Sequence, residues 1–571
     1  MLELRQLKLP VDHKDEDLEK VIEKCLSSKK LRIMPGDFSF LILKRSLDCR
    51  RKPELFYIYS VCVTLNNKLK EADILSENGK RKGRDRMDLS LYEPVIYKLP
   101  IVLEALKNDM DDLRIPRPVV IGSGPAGLFA AYILSLSGLK PIIFERGEEV
   151  TKRRRTVDEF LKNGTLNTNS NVQFGEGGAG TFSDGKLNTL TKDKYGRQGF
   201  VFDTFIKCGA DEKIKYDYKP HIGTDILTTV VKNLRDEIKA LGGEFHFETL
   251  IDGIDIEDNR ITGVRARSTN AYKTDDKGSK IDVISAPAGH VILATGHSAR
   301  DTFMMLKDKG VKMEPKSFAV GFRVQHPQDM INISQYGKDY PKSLGASPYK
   351  VTNTASNGRR VYSFCMCPGG YVINSSSEDG RLCVNGMSYS GRDSAFSNSA
   401  IIVNVEPDDF IKACPDRSDD ELCGMYYQRL IEEKAYNLGK GKIPAERFTD
   451  FENNKEPSDF DQSNAKGGVS KADLHGILSK DMEEAFIESM HRFGHMIDGF
   501  DSKEAIMYAI EGRTSSPVKI PRDEDFTSNI KGLYPCGEGA GYAGGITSAA
   551  VDGIKVAEAV INDLNKNYKI I

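Results

Sequence analysis

Two cysteines are among the residues of this sequence whose type and spacing are best suited to chemistry. Cys365 and Cys367 stand in the stretch SFCMCPGGYV, and residues i and i+2 of a strand point to the same face. A thiol beside a bound ligand can act as a proton donor or a nucleophile, or the pair can undergo reversible oxidation. The alternative is that both are ordinary buried cysteines, which are common in protein cores.

Arg513 lies in the polar stretch EGRTSSPVKI. Its guanidinium group has the fork geometry that binds an anionic group or the edge of a cofactor. A structural arginine held in a salt bridge is an equally good interpretation. Cys365, Cys367 and Arg513 are therefore the predicted catalytic residues, with these structural interpretations left open.

Two other polar groupings are assigned structural roles. In YSGRDSAFSN, Arg392 stands next to Asp393, and we interpret the stretch as a turn that this ion pair stabilises. His491 and His495 are four residues apart on a predicted helix, a spacing that can bind a metal ion. The sequence does not have the H-E-x-x-H pattern there and suggests no third ligand. We therefore predict no metal site.

The stretch VVIGSGPAGLFAAYIL at 119–134 has the pattern of a dinucleotide-binding turn between a strand and a helix. Gly122 permits the tight turn, Gly124 allows the backbone to approach a pyrophosphate, and Gly127 lets the helix pack closely on the strand. The helix N-terminus offers free N–H groups to the anion. Glu145 stands 18 residues after Gly127, where a carboxylate can accept hydrogen bonds from a ribose. Together these features predict a dinucleotide site.

Two further glycine-rich stretches raise the question of how many cofactors are bound. GEGGAGTFSDGKL at 175–187 suits close backbone approach to a ligand. GEGAGYAGGITSAAVDG at 537–553 repeats the G-x-G-x-x-G pattern before a predicted helix, but only NKNYKII follows that helix. This leaves little room for a second strand ending in an acidic residue. We therefore predict that the later stretch completes the first site and that one cofactor is bound.

Several motifs together carry a family resemblance. The ordered set VVIGSGPAGL, FERG, VILATG and GLYPCGEGAGYAGGITSAAVDG resembles FAD-dependent oxidoreductases of the glutathione-reductase-like two-dinucleotide-fold superfamily. The stretches FGEGGAGTFSDGKL, KPHIGTD, FCMCPGG, SGRDSAFSNSAIIV and EGRTSSPVKIPRD are more specifically similar to the bacterial uncharacterised FAD-dependent dehydrogenases, or NAD(FAD)-utilizing dehydrogenases. The likeness extends in layout over residues 1–571 and implies FAD as the cofactor, with NAD(P)H as a candidate transient co-substrate.

The resemblance also implies where parts of the cofactor lie. Residues 294–296 would lie beside its adenosine–pyrophosphate half, and residues 544–546 beside the flavin pyrimidine ring. Gly537 and Glu538 would reach the ribitol or the pyrophosphate, although the family usually has aspartate where Glu538 stands. Together the motifs and the resemblance give this predicted cofactor-binding set: Gly122, Gly124, Pro125, Ala126, Gly127, Glu145, Arg146, Gly177, Gly178, Ala294, Thr295, Gly296, Gly537, Glu538, Gly544, Gly545 and Ile546.

The elements that must position these residues fall into four segments. Residues 1–112 have a β-α-β-β-(α)-β order, with a candidate last strand at YEPVIYKLP, and predict a ferredoxin-like α/β domain. Residues 113–314 form the first part of a Rossmann-like FAD-binding domain, and residues 315–500 an inserted mixed α/β substrate or cap domain. Residues 501–571 return to the FAD-binding domain. The predicted fold class is α/β.

Composition argues against several classes of function. The 571 residues include 81 Lys and Arg against 83 Asp and Glu, a net charge of −2, which weighs against a broad nucleic-acid or anionic membrane surface. The sequence contains no run of about 18 apolar residues and its first residues lack a signal peptide. We therefore expect a cytoplasmic protein with reduced cysteines, a small-molecule substrate, and neither a nucleic-acid nor a membrane partner. The oligomeric state is not predicted.

These observations predict an FAD-dependent oxidoreductase that transfers hydride through a bound flavin, with NAD(P)H as a candidate donor and an unidentified substrate. One alternative is a flavin-dependent reductase of C=C bonds, because the cysteine-bearing strand before Pro-Gly-Gly is faintly similar to geranylgeranyl-reductase-like flavoproteins. A second is a flavin-dependent RNA-modifying enzyme with the N-terminal domain as its platform. A third is a non-enzymatic flavin-binding regulator.

Overall fold

The computed structural model describes residues 1–28, 30–66, 70–83, 86–111, 115–188, 193–270, 284–460 and 462–568. Over these residues the chain is a mixed α/β protein with three main sheets, one in the N-terminal segment, one parallel sheet, and one in the region between the two parts of that parallel sheet. Short 3₁₀ turns occur at Ala179–Phe182, Glu212–Lys215, Lys342–Leu344 and Pro415–Arg417.

The N-terminal segment is a four-stranded antiparallel sheet with helices between its strands. Its elements are β1 (Leu2–Pro10), α1 (Asp15–Leu26), β2 (Phe38–Arg51), β3 (Glu54–Leu65), α2 (Glu71–Gly79), β4 (Leu89–Leu91) and α3 (Glu104–Asp111). The sheet order is β2-β3-β1-β4, and Leu18, Ile22 and Leu26 of α1 are buried in its core. The predicted boundary between 112 and 113 lies outside the described residues.

The prediction of a strand at YEPVIYKLP is wrong. The last strand of the N-terminal sheet, β4, ends at Leu91, and the chain from 92 to 103 has no regular structure. Pro94 and Pro100 explain the difference, because proline has no N–H to donate to a strand ladder.

A five-stranded parallel sheet forms the centre of the nucleotide-binding region. Its first elements and the hairpins beside it are β5 (Val119–Ile121), α4 (Pro125–Leu136), β6 (Ile142–Phe144), α5 (Val150–Asn163), α6 (Arg197–Lys207), α7 (Thr224–Ala240), β7 (Glu244–His246), β8 (Thr249–Glu257), β9 (Arg260–Ser268), β10 (Ile284–Pro287), β11 (Val291–Leu293) and α8 (Arg300–Asp308). Strands β8, β9 and β10 make a separate antiparallel sheet.

The region that follows is built on a seven-stranded sheet. The remaining elements of the chain are β12 (Glu314–Pro315), β13 (Phe318–Pro327), α9 (Gln328–Tyr336), β14 (Thr352–Thr354), β15 (Arg360–Cys367), β16 (Tyr371–Asn374), β17 (Val384–Met387), β18 (Phe396–Val405), α10 (Pro407–Ala413), α11 (Cys423–Gly439), β19 (Ile443–Arg447), α12 (Phe448–Glu452), β20 (Ala465–Lys466), β21 (Val469–Lys471), α13 (Lys480–Gly494), β22 (Ile506–Glu511), β23 (Val518–Lys519), β24 (Leu533–Pro535) and α14 (Ile546–Tyr568). The sheet order is β14-β15-β18-β13-β22-β19-β21.

The seven-stranded sheet extends beyond residue 500, where the inserted segment was predicted to end. Strand β22 pairs with β13 on one side and with β19 on the other, and all six of its residues are buried. Because both neighbours of β22 come from the inserted region, the sheet of that region runs to Glu511. A continuous apolar strand does not reveal from sequence which of two sheets it joins.

The C-terminal glycine stretch joins the first nucleotide-binding unit. Strand β24 lies beside β11 and completes a parallel sheet in the order β24-β11-β5-β6-β7. Helix α14 packs against α4 so closely that a Cβ atom at Gly553 would lie 2.1 Å from the carbonyl oxygen of Ala126. The two glycine motifs of the sequence therefore belong to one sheet.

Two large apolar cores hold these layers together. One lies between the parallel sheet and helices α4, α7 and α14, and includes Val120, Ile133, Val230 and Ala550. The other lies around the seven-stranded sheet and its helices. Among the described residues, no helix combines the length and apolar character that crossing a bilayer requires.

Candidate functional site

One cavity of about 350 Å³ brings most of the predicted residues together. Its walls come from the glycine turn after β5, the loop after α5, the segment after β11, the inserted region and the residues before α14. The predicted residues that line it are Gly122, Gly124, Pro125, Ala126, Glu145, Arg146, Gly178, Ala294, Thr295, Gly296, Cys365, Arg513, Glu538, Gly544, Gly545 and Ile546.

The turn after β5 requires glycine at two of its positions. Gly122 has a φ of +99°, and a Cβ atom there would lie 2.4 Å from the carbonyl oxygen of Ala294. A Cβ atom at Gly127 would lie 1.9 Å from the carbonyl oxygen of Gly122. A side chain at either position would separate the helix from the strand, so these glycines fix the shape of the turn.

Glu145 ties three loops together at the cavity wall. Its Oε2 accepts hydrogen bonds from the backbone N and the Oγ of Ser123, both at 2.9 Å. Its Oε1 accepts from the backbone N of Gly147 at 2.9 Å and of Gly175 at 3.1 Å. The carboxylate lines the cavity, and its contact with a ribose stays a prediction. Since a carboxylate has about four acceptor positions, a ribose would have to share them with these donors.

Four predicted residues do not line the cavity. Gly127 packs behind the turn, and the backbone N of Gly177 donates to the Ser123 carbonyl at 2.9 Å. The backbone N of Gly537 donates to Asp552 Oδ2 at 2.8 Å. Cys367 is fully buried. Their observed contacts shape the backbone around the cavity.

Two helices begin at the cavity. The N-cap of α4 is Gly124, which has no side chain to satisfy the free N–H groups of the first turn, and α14 begins at the lining residue Ile546. Such N-termini favour anions. No atom lies within 4 Å of a Cβ position at Gly296 or Gly544, so both leave open space where a side chain would fill it. These features fit a long dinucleotide such as FAD.

The inserted region contributes Cys365 from a β-bulge. The register between β15 and β18 shifts between Phe364 and Cys367, and Cys365 has a φ of +44°, which is unusual for a residue with a side chain. The regular alternation expected from a strand therefore does not hold here. Cys365 is half-buried and lines the cavity, whereas Cys367 is buried.

Hydrogen bonds and nearby charges give the two thiols different acidities. A hydrogen bond from the Cys367 thiol, together with the charges of Lys186 and Arg323, lowers the pKa of Cys365 to about 5 in spite of burial. The same hydrogen bond and burial raise the pKa of Cys367 well above its ordinary value. Cys365 is therefore the thiolate of the pair and Cys367 the protonated partner.

Lys186 belongs to the glycine-rich loop, and both it and Cys365 line the cavity. Its Nζ lies 3.1 Å from Oδ2 of Asp184. Asp184 also accepts hydrogen bonds from Arg392, including one from Nε at 3.2 Å. Our interpretation of Arg392 as the ion-pair partner of Asp393 is wrong, because Arg392 reaches a residue more than 200 positions earlier in the chain. The sequence could not show this long-range pair.

Arg323 connects the cysteine strand to the centre of the seven-stranded sheet. Its guanidinium is fully buried and binds Glu511 through two hydrogen bonds, from Nε at 2.9 Å and from Nη2 at 3.1 Å. Its Nη1 donates to Asn398 Oδ1 at 2.8 Å and to the Cys365 carbonyl at 3.1 Å. Arg323 therefore holds the bulge in place through backbone as well as side-chain contacts.

Arg513 lines the cavity, but its nitrogens are engaged by the protein. Nε and Nη2 donate to the two oxygens of Glu432. Nη1 donates to the hydroxyls of Ser298, at 3.2 Å, and Ser377. All of these contacts fit the alternative interpretation, in which Arg513 is a structural arginine held in a salt bridge. The predicted catalytic role of Arg513 remains a prediction.

Among the lining residues outside the predicted set, three carry side chains of functional interest. His297 follows the Ala-Thr-Gly motif directly, and its Nδ1 lies 3.5 Å from Glu538 Oε2 while its buried Nε2 has no hydrogen-bond partner in the described part of the chain. Lys186 stands at the end of the glycine-rich loop, and Asn385 lies on β17. His297 and Lys186 could have been found from their place directly beside or within motifs that the sequence singled out.

The histidine pair of the predicted helix does not form a shared site. His491 bonds to Glu452 and Asp501, each at 2.9 Å, whereas α13 ends at Gly494 and His495 is exposed beyond it. Both contacts of His491 are with carboxylates, which supports the structural role assigned to it.

Comparison with known proteins identifies the family of the chain. Residues 317–514 match the family model described as FAD-dependent protein, C-terminal domain-like, and residues 1–64 match a domain of unknown function, DUF8436. An uncharacterised protein of Clostridium beijerinckii is 44% identical over 556 residues, which cover 96% of this chain and 96% of that protein. This chain belongs to the same family. The prediction of an FAD-dependent protein is confirmed by the match over residues 317–514.

Several solved protein structures resemble this chain, each with a low TM-score. A glycerol-3-phosphate dehydrogenase from Bacillus halodurans complexed with FAD is 11% identical, with 81% of this chain and 68% of that chain covered and a TM-score of 0.36. A flavoprotein/dehydrogenase from Cytophaga hutchinsonii is 13% identical, with 79% of each chain covered and a TM-score of 0.33. A geranylgeranyl bacteriochlorophyll reductase-like protein from Thermoplasma acidophilum is 12% identical, with 80% and 82% covered and a TM-score of 0.33. These likenesses carry no conclusion about the reaction.

Proposed function

We propose that this protein is an FAD-dependent oxidoreductase that transfers hydride between one bound flavin and a small-molecule substrate, with NAD(P)H as the electron donor. One observation carries the proposal: a single cavity is lined both by the turn from Gly122 to Ala126 with Glu145 and by Gly544 to Ile546 with Cys365. The first set suits the adenosine half of a dinucleotide, and the second suits its reactive ring. A bound FAD would supply the redox chemistry, and the chain would bind and orient it.

The proposal assigns different roles to different parts of the cavity wall. The N-termini of α4 and α14, which begin at the cavity, would stabilise the negative charge of a bound pyrophosphate and of a reduced ring. Cys365 and Cys367 are proposed as the catalytic pair, with Cys365 on the cavity wall beside the ring and the buried Cys367 as its hydrogen-bonding partner. Arg513 is proposed as a positioning residue, because its contacts with Glu432 and Ser298 hold the cavity wall. The open space at Gly296 and Gly544 supports this use of the cavity.

The domain plan of the proposal follows the observed sheets. The N-terminal order β2-β3-β1-β4, with α1 and α2 as crossovers, supports a ferredoxin-like domain over residues 1–112. The parallel sheet that β24 completes supports a discontinuous Rossmann-like FAD domain of the glutathione-reductase-like superfamily. The seven-stranded sheet between its two parts supports an inserted substrate domain.

The direct test is analysis of the cofactor in purified protein. Heat-released cofactor should be FAD, with one FAD per chain, and release of FMN alone or failure to bind FAD on reconstitution would overturn the proposal. Anaerobic mixing with NADH and with NADPH should then bleach the visible flavin absorbance with at least one of them. If FAD binds but neither nicotinamide reduces it, the proposed donor is wrong and the flavoprotein assignment stands.

A further inference from the structure

Cys365 and Cys367 differ in accessibility as well as in acidity. Cys365 is half-buried on the cavity wall. Cys367 is fully buried and follows it in β15, with Met366 between the two. Cys367 Sγ also donates to the Cys365 carbonyl at 3.3 Å. The bulge therefore presents one sulfur to the cavity and leaves the second buried, hydrogen-bonded to the first.

The surroundings of this pair are cationic. Lys186 of the glycine-rich loop and Arg323 of β13 both act on the Cys365 sulfur. The opposing charges there, Asp184 and Glu511, are themselves paired, Asp184 with Lys186 and Arg392 and Glu511 with Arg323. Burial raises the pKa of the other eight cysteines of the chain, by contrast. A thiolate with cationic neighbours and a second thiol in reach is the arrangement that favours reversible sulfur oxidation.

We infer that Cys365 and Cys367 form a peroxide-reactive dithiol on the cavity wall, in which Cys365 is the attacking sulfur and Cys367 the resolving sulfur. The proposed substrate class is a small hydroperoxide, hydrogen peroxide being the simplest member. The proposal deepens the function proposed above and rests on it for the source of the oxidant, because reduced flavins can react with dioxygen. With the hydroperoxide as the two-electron oxidant, the sulfur chemistry itself needs only these two cysteines of the chain.

The reaction has two balanced steps. In the first, the Cys365 thiolate attacks one oxygen of hydrogen peroxide, the O–O bond breaks, Cys365 becomes a sulfenic acid, and the departing hydroxide takes up a proton to become water. In the second, the Cys367 sulfur attacks the Cys365 sulfur, the S–O bond breaks, and hydroxide leaves with the Cys367 proton as a second water. One peroxide is reduced to two waters, and the dithiol is oxidised to a disulfide, which an added dithiol can reduce again.

Peptide mapping after peroxide treatment tests the pairing. Cleavage after Arg360 and Arg381 gives a peptide of residues 361–381 that contains these two cysteines and no others. After mild peroxide treatment of the full chain, this peptide should lose two hydrogens and regain them with dithiothreitol. In Cys367→Ser, Cys365 should instead be trapped as a sulfenic acid by dimedone, and in Cys365→Ser neither product should form. Cys414→Ser, which removes another half-buried cysteine, should behave like the unmodified chain.

The pH dependence of alkylation tests which sulfur attacks, first in the unmodified chain and then in one variant. The reaction of Cys365 with iodoacetamide should stay nearly constant from pH 9 to pH 6, whereas that of Cys414 should fall about tenfold per pH unit. At pH 6 Cys365 should react about tenfold faster than an ordinary thiol, since its lower nucleophilicity offsets part of its larger thiolate fraction. Lys186→Met should move the Cys365 profile to higher pH. A merely structural cysteine would not change in this way.

Two outcomes separate this inference from the proposed function. If the protein binds no FAD but the 361–381 peptide still forms its disulfide, the flavin proposal fails and the dithiol stands. If FAD binds and the peptide keeps both thiols while Cys414 is oxidised, the dithiol proposal is overturned and the flavin proposal stands. An alkylation profile of Cys365 that falls with pH like that of Cys414 would also overturn it.

Discussion

Arg513 binds Glu432 through two parallel hydrogen bonds, from Nε to Oε1 at 2.7 Å and from Nη2 to Oε2 at 2.8 Å, and both side chains are buried. Arg300 approaches the same carboxylate with Nη2 at 2.7 Å from Oε1 and Nη1 at 2.9 Å from Oε2. One buried carboxylate thus joins α8 of the nucleotide-binding region to α11 and to the segment after β22. The cavity wall depends on this junction.

Glu432→Gln should therefore destabilise the protein strongly. Removing this charge leaves the buried Arg513 without its bidentate carboxylate partner and leaves Arg300 with Glu378 alone as its acidic partner among the described residues, and breaking a buried ion pair in this way costs about 3–5 kcal/mol. The urea midpoint at pH 7 is the measurement. Glu433→Gln on the same helix, where the side chain is exposed, is the matched control and should leave the midpoint unchanged.

The pH dependence of the same variant has a defined sign. Although burial opposes it, Arg300 and Arg513 lower the pKa of Glu432 to about 2, below the unfolded value of about 4.3. Its contribution is therefore present above the unfolded pKa and is lost as the pH falls through that value toward 2. The stability difference between the unmodified chain and Glu432→Gln should shrink by about 3 kcal/mol over this range. A difference that stays constant would contradict the assignment.

Glu145→Gln should weaken both FAD binding and the loops around it. The carboxylate accepts four hydrogen bonds from Ser123, Gly147 and Gly175, and bonds to a charged acceptor are each worth roughly 1.5–3 kcal/mol. We expect the Kd for FAD to rise at least tenfold and the melting temperature of the FAD-free protein to fall. Glu159→Gln, an exposed position of α5, should change neither quantity. An unchanged Kd would show that Glu145 does not act at the cofactor.

Gly544→Val should expel FAD without unfolding the protein. Gly544 lines the cavity, its backbone is outside the left-handed region, and no atom lies within 4 Å of a Cβ position there. The added side chain would therefore occupy the cavity rather than clash with the fold, and should raise the Kd for FAD by at least about tenfold, or 1.4 kcal/mol. Flavin stoichiometry and melting temperature measure the two effects.

The same variant decides between one and two dinucleotide sites. Gly289→Val, which also points into open space but lies outside the cavity lining, is the control and should retain FAD. If Gly544→Val keeps its full FAD content and instead loses NAD(P) binding, the glycine stretch before α14 belongs to a separate nicotinamide site and the one-cofactor interpretation is wrong.

Glu446→Gln should stabilise the protein progressively as the pH rises from about 4.3 toward 7 and above. Burial raises the pKa of Glu446 to about 7, above the unfolded value of about 4.3, so the folded state holds this proton more tightly than the unfolded state. Stability from this group is therefore full at acidic pH and is lost as the pH rises through 7. Relative to the unmodified chain, Glu446→Gln should gain up to about 3 kcal/mol between pH 5 and pH 8. Parallel stability curves for the two proteins would contradict this, and Glu456→Gln, an exposed position, should give such parallel curves.

The parts of the site that local sequence encodes could be predicted. The turn with Gly122 and Gly127, and the place of Glu145 after the next strand, follow from a strand–helix–strand unit whose geometry is fixed within about 30 residues. The assignment of the later glycine stretch to the same nucleotide-binding unit was also predicted, and the pairing of β24 with β11 agrees with it. In the first unit, the residues that contact one another are close together in the sequence, so a local motif is enough to predict their contacts.

The parts that long-range contacts create could not be predicted. Lys186, Arg323 and Cys365 act together only because the glycine-rich loop and two strands of the seven-stranded sheet meet at one cavity. The bulge at Cys365 depends on its register with β18, and Arg392 found a partner in Asp184 rather than in its neighbour. Sheet register and ion-pair choice are settled by the whole fold.

The position of β24 has a consequence for how the protein is made. A ribosome completes β5, β6, β7 and β11 by residue Leu293, but β24 begins only at Leu533. Throughout synthesis of the intervening region, the emerging chain exposes the unpaired edge of β11, a surface that other strands can join. The cavity wall at residues 544–546 does not yet exist during that time. Cofactor loading is therefore a late event of biosynthesis, and translation that stops before β24 yields a chain unable to hold flavin rather than a partly active enzyme.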